Sequence, residues 1–136
     1  MQLTKFTDYS LRVLMYLAKK EDKLSTVAEI ASYYKISQNH LVKITHNLSL
    51  LGYIESLKGK NGGIKLLKNP KDINLKKLIL DLEPNFIMVE CFDKKSNTCI
   101  ITDMCNVKDI FNKSLSLFLD NLEQYSLKDT LSNLKF

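Results

Sequence analysis

The chain has 136 residues, 45% of them apolar and 26% charged, enough for one domain with a real core. No apolar run approaches the roughly 18 residues of a membrane-spanning helix, and the N-terminus, MQLTKFTDYSLRVLMYLAKK, lacks the basic start and continuous apolar stretch of a signal peptide. The net charge of +5 is uneven: residues 1 to 70 hold eleven Lys or Arg against five Asp or Glu, whereas residues 71 to 136 hold nine against ten. A cationic excess confined to the first half points to a polyanion as that half's partner. A cytoplasmic, non-membrane protein is expected.

Residues 8 to 20 place Leu11, Leu14, Met15 and Leu17 at helical spacing, with Thr7 or Asp8 as N-cap. Thr26 followed by Glu29 is a capping-box pattern, and Val27, Ile30 and Ala31 give a short helix ending near Tyr34. Ser37 offers another N-cap, after which Leu41, Ile44, Leu48 and Leu51 share one face until Gly52 stops the helix. Two short helices joined by Tyr-Lys-Ile form a helix-turn-helix candidate. All four glycines lie between Gly52 and Gly63. There YIESLKGKNGGIKLL reads as strand, turn and strand, with Asn61-Gly62 as a two-residue hairpin turn. A hairpin directly after such a helix pair is a wing.

Pro70 closes this first region, residues 1 to 70, and a helix through Leu75, Leu78, Ile79 and Leu82 ends near Pro84. Residues 71 to 136 then carry a cysteine segment, about 85 to 105, and the longest helix of the chain. In that helix, from about Asn106 to Gln124, Val107, Ile110, Phe111, Leu115, Phe118 and Leu122 recur at helical intervals. So much apolar face late in a small chain calls for a partner helix. Ser126 and Asp129 cap a short last helix. The expected fold is mainly α with a small β-hairpin: a winged helix-turn-helix followed by a long C-terminal dimerisation helix.

The second helix of a helix-turn-helix lies in the major groove with its first residues at the base edges. Those residues are Ser37, Gln38, Asn39, His40 and Lys43. Gln and Asn match adenine in a bidentate way, while Ser, His and Lys reach bases or phosphates. The wing contributes Lys58, Lys60, Asn61, Gly62, Gly63 and Lys65, the glycines allowing close approach to a phosphate or the minor groove. Double-stranded DNA is the expected partner.

The only three cysteines, Cys91, Cys99 and Cys105, fall on one polar segment, VECFDKKSNTCIITDMC. Gathered and odd in number, they point to a metal or redox site and not to a disulfide framework. Thiolates bind zinc or iron-sulfur clusters, and both remain open on spacing alone, as does disulfide-based sensing. Nucleophile elbow, phosphate loop and metal-hydrolase helix are all missing, so no enzyme is expected.

The stretches MQLTKFTDYSLRVLMYLA, ISQNHLVKI, GYIESLKGKNGGIKL and DLEPNFIMVECF, followed by the spaced thiols and CNVKDIF, resemble the Rrf-two family of bacterial winged-helix regulators. Within it they are most similar to its nitric-oxide-sensing repressors. The resemblance implies a homodimer built on the long helix, each subunit holding an iron-sulfur cluster on Cys91, Cys99 and Cys105. It also implies that Asp8 of the other subunit completes a 4Fe-4S cluster, with Arg12 close by. Cluster-biogenesis members carry a histidine three residues past the last cysteine, for a 2Fe-2S cluster. Lys108 stands there in this chain and cannot replace an imidazole. Nitrosylation or loss of the cluster would release a palindromic operator. Iron supply or redox state remains an alternative signal.

Overall fold

Thr4, and not Thr7 or Asp8, caps the first helix. In the computed structural model, which describes residues 1–136, helix α1 spans Lys5–Lys20 and so starts a turn earlier than periodicity predicts. The Thr4 hydroxyl accepts the Thr7 amide at 3.2 Å, and the Glu83 carboxylate fixes Thr4 by accepting from its amide at 2.7 Å and its hydroxyl at 3.1 Å. Asp8 is therefore inside the helix, free to pair with a side chain one turn on.

Helix α2, Val27–Tyr34, has the predicted capping box between Thr26 and Glu29 and ends at Lys35 in the left-handed region, φ 54°. Helix α3, Gln38–Leu50, begins after Ser37, which stands at the N-cap without a side-chain cap bond. Leu41, Ile44 and Leu48 are fully buried, whereas Leu51 is exposed because it lies past the last helical turn. Gly52 then takes φ 76°, a conformation in which any Cβ is strained.

Strands β1, Ile54–Leu57, and β2, Gly63–Leu66, pair antiparallel with Leu57 opposite Gly63. The expected two-residue Asn61-Gly62 turn is thus replaced by a five-residue connection, residues 58–62. Its one positive φ is at Gly59, 108°. Gly62 is needed for space instead: a Cβ there would stand 2.1 Å from the Leu57 carbonyl oxygen and 2.9 Å from that of Gly59. We expect Gly62→Ala to cost at least about 1 kcal/mol and distort the wing. Thermal melting and DNA titration of the variant check this, and parent values in both would contradict it.

Helix α4, Leu75–Leu82, caps on Asn74. After 3-10 turns at Glu90–Phe92 and Thr102–Met104 comes helix α5, Asn106–Glu123, then a final 3-10 turn, Leu127–Thr130, with the predicted Ser126–Asp129 capping box. One cluster of 17 buried residues runs from Val13 through Leu41, Ile54 and Ile64 to Ile73, Leu78, Leu82 and Leu127, so a single core crosses position 70. Between residues 83 and 126 nothing is buried. Helix α5 is instead pinned at its C-terminal end, where Lys76 reaches Asp120 at 2.9 Å and Glu123 at 3.0 Å, and Leu127 donates to the Ile73 carbonyl at 2.8 Å. No helix is long and apolar enough to cross a membrane.

The base of the wing is fastened to α4. Tyr53, just before β1, donates its hydroxyl to Asp81 at 2.5 Å, and Lys77 reaches the same carboxylate at 3.1 Å. Burial pushes the Asp81 carboxyl up, but the Tyr53 and Lys77 hydrogen bonds outweigh it and hold the group below its ordinary 3.8. A depressed carboxylate contributes stability that is full above its unfolded pKa and is lost as pH falls through its folded one. Tyr53→Phe should therefore cost about 1 kcal/mol at neutral pH and progressively less below about pH 4. Denaturant midpoints across that range test it; a pH-independent difference would contradict the assignment.

A candidate nucleic-acid interface and a candidate cluster-binding segment

The first turns of α3 present Gln38, Asn39, His40 and Lys43 together, with Ser37 just before them, and all five are exposed. Leu41 and Ile44 pin the opposite face to the core, so the fold itself aims these polar groups outward. Val42, 49% exposed between them, was not singled out from the sequence. Its position off the Leu41–Ile44–Leu48 face was the available signal, and an apolar side chain there suits a thymine methyl.

In the wing, Lys58, Lys60 and Asn61 are exposed. Lys65 is placed differently: across the ladder from Glu55, its Nζ lies 3.7 Å from that carboxylate, so its charge is partly answered within the hairpin. Gly63 passes close under Ser25, where a Cβ would come within 2.8 Å of the Ser25 carbonyl oxygen. This close passage lets residue 25 bridge to Ile64 at the edge of β2.

The thiols occupy the stretch between α4 and α5. None is in a disulfide; Cys99 is exposed and Cys91 and Cys105 are half-buried. Glu90, next to Cys91, accepts from the amide and hydroxyl of Thr98, next to Cys99, both at 2.6 Å. These bonds hold the Glu90 carboxyl below its usual range and close the seven-residue interval between the first two cysteines. Asn97 accepts the Cys99 amide at 3.1 Å, and Thr102 donates to the Cys99 carbonyl at 2.7 Å. Polar side chains, not a core, shape this loop. Nowhere do three His, Cys, Asp or Glu side chains converge closely enough to hold a metal ion. The donor set still fits an iron-sulfur cluster, since it is three soft thiols with no imidazole nearby. With nothing buried to fix the loop, binding can draw the thiols together, coupling ligation to folding of the segment.

Asp8 and Arg12 lie on α1, one turn apart and half-exposed. Arg12 donates to both carboxylate oxygens, at 3.1 and 2.8 Å. Lys108 is in the first turn of α5, and an ammonium cannot replace an imidazole ligand. Contacts that are not evident from the sequence are Glu83 to Thr4, at the start of the loop, and Asp81 to Tyr53, at the base of the wing, which join residues 79 and 28 positions apart.

Comparison with known proteins accords with this arrangement. The family described as Rrf2, iron-dependent transcriptional regulator, matches residues 3–133. An HTH-type transcriptional regulator NsrR of Halalkalibacterium halodurans is 50% identical over 134 residues, 98% of this chain and 92% of that protein. Its namesake in Bacillus subtilis is 43% identical over 98% of this chain and 92% of the relative. Among solved structures, T. potens IscR superposes with a TM-score of 0.78 at 19% identity, covering 99% of this chain and 89% of that one. CymR, the global cysteine regulator of B. subtilis, gives 0.78 at 20% identity with 99% of both chains covered; these likenesses show the fold. The relatives are regulators and not enzymes. With nearly its whole length matched, a winged helix-turn-helix at its front and half-identical regulators beside it, the chain belongs to the Rrf2 family of DNA-binding transcriptional regulators.

Proposed function

We propose that this regulator is a cytoplasmic, homodimeric repressor that responds to nitric oxide through an iron-sulfur cluster. The observation that carries this reading is the placing of all three cysteines, unpaired and none of them buried, on the longest stretch of the chain with no buried residue. Relatives named NsrR and the resemblance to nitric-oxide-sensing repressors support it.

In this reading Cys91, Cys99 and Cys105 would hold a 4Fe-4S cluster, with the Asp8 carboxylate of the other subunit as its fourth ligand. When bound, the cluster supplies iron to which nitric oxide can bond. The chain's own part is mechanical. The three thiolates gather the 83–105 segment, Glu90 keeps its first interval closed, and Asp8 ties that segment to α1 of the neighbour. Loss of the tie changes the setting of two α3 helices that must match two half-sites of a palindromic operator. Region 1–70 reads the DNA through Ser37, Gln38, Asn39, His40 and Lys43 and the wing residues Lys58, Lys60, Asn61, Gly62 and Gly63, with Lys65 contributing least. Region 71–136 senses and dimerises.

The dimer has a surface suited to it. Helix α5 turns Phe111, Leu115, Leu119 and Leu122 partly inward, while Ile110 and Leu117 stay 59% and 61% exposed on a stripe with Val107 and Phe118. A stripe of this size is expected to be covered. Sedimentation of Leu117→Glu should report a monomer; an unchanged dimer would move the interface elsewhere.

The test of function uses a duplex that the parent protein selects from random-sequence DNA. Affinity should fall steeply as salt rises, as phosphate contacts require, and should drop about 5 to 150-fold when nitric oxide is added to anaerobic protein. Salt-independent binding would refute the DNA assignment, and indifference to nitric oxide would refute the sensor.

A further inference from the structure

Tyr9 stands between Asp8 and the first turn of α3. Arg12, its guanidinium held by both Asp8 oxygens, lies over the Tyr9 ring, 5.3 Å from the centroid. That is inside the roughly 6 Å at which a cation is drawn to an aromatic face. Tyr9 and Arg12 are three residues apart and so share a helix face. The Tyr9 ring, packed on its inner side against the core, also meets His40, at 5.8 Å between centroids and an interplanar angle of 89°, the edge-to-face geometry that ring quadrupoles favour. Asp8, Arg12, Tyr9 and His40 therefore form one unbroken row from α1 to the exposed third residue of α3.

We propose that Tyr9 is a positioning residue that transmits the state of the Asp8–Arg12 pair to His40, and through it to the DNA-reading face. This rests on the reading of Asp8 as a cluster ligand. An Asp8 carboxylate turned toward a metal no longer offers two oxygens to Arg12. The guanidinium then has no fixed seat over the ring, the ring loses its cation, and its edge-to-face contact with His40 changes. The row is short enough that a change at Asp8 reaches the third residue of α3 without any rearrangement of the core.

Two measurements test the relay separately from the cluster. In the cluster-free chain, the imidazole NMR signals of His40 are followed on Asp8→Asn substitution, with His46, later in the same helix, as reference. His40 should move while His46 stays, in the parent and in a Tyr9→Phe background, which keeps the ring. In a Tyr9→Leu background Asp8→Asn should leave His40 unmoved. Arg12→Gln, at a half-exposed site, should have the same blocking effect if Tyr9→Leu fails to fold. No movement in the parent, or equal movement without the ring, would overturn the proposal.

The second measurement compares operator affinity of cluster-free protein and protein loaded anaerobically with iron and sulfide. Tyr9→Leu should shrink the ratio between the two at least about threefold, and Tyr9→Phe should leave it intact. An unchanged ratio in Tyr9→Leu would overturn the relay. Equal binding by both forms of the parent would instead remove the cluster from the reading of function, and the NMR result alone would then decide the relay.

Discussion

Cys99→Ser should give a protein that folds but binds the operator only as weakly as the nitric-oxide-treated parent, and no longer answers to nitric oxide. Cys99 is exposed, and the hydrogen bonds near it use its backbone amide and carbonyl, not its thiol. Substitution at such a surface position should change stability by no more than about 0.5 kcal/mol. Its chemical effect is large by comparison. Serine replaces a thiolate with a hydroxyl that is a poor ligand for iron, and the two remaining cysteines cannot hold a cluster with Asp8 alone. The change of about 5 to 150-fold in operator affinity on nitric oxide addition should vanish, together with the visible absorption of the anaerobic protein. A variant that keeps its response would show that the signal enters elsewhere. Cys91→Ser and Cys105→Ser should behave alike, because the proposal makes the three thiols one unit.

Leu127→Ala should have the opposite profile, with a large loss of stability. Leu127 is fully buried, and it is the only buried residue after Leu82. Its amide also donates to Ile73, so it supplies the buried part of the fastening between the end of α5 and the body of the winged helix, beside the Lys76 ion pairs. Truncating a fully buried leucine costs about 2 to 5 kcal/mol, lost transfer energy and cavity together. Set against a total of about 5 to 15 kcal/mol for a domain, that is a substantial fraction. Denaturant unfolding measures it. A cost below about 1 kcal/mol would mean that Lys76, Asp120 and Glu123 hold α5 without help from the core.

The two variants also mark what can be read from the residues alone. Helix α3, its exposed polar face and the gathering of cysteines are local features, carried by apolar spacing over a dozen residues or by position in the chain. The start of α1 at Lys5 is not legible locally because its cap depends on Glu83, 79 residues away from Thr4. The wing turn departs from its local signal for a different reason. Asn61-Gly62 is a strong turn pair, but β1 and β2 pair in a register that places it at the end of a longer connection, and Gly59 takes the positive φ instead. Lys65 looked like a free cation until the same register brought Glu55 opposite. The thiols are the clearest case. Their clustering in sequence is plain, yet no three such side chains converge closely enough to hold a metal ion, and no buried residue fixes the loop that carries them.

Iron and acid-labile sulfide per chain, measured on anaerobically purified protein, test the central claim most directly. About four of each, with visible absorption that bleaches on nitric oxide addition, is the predicted result. Zinc in their place, or no metal at all, would contradict it.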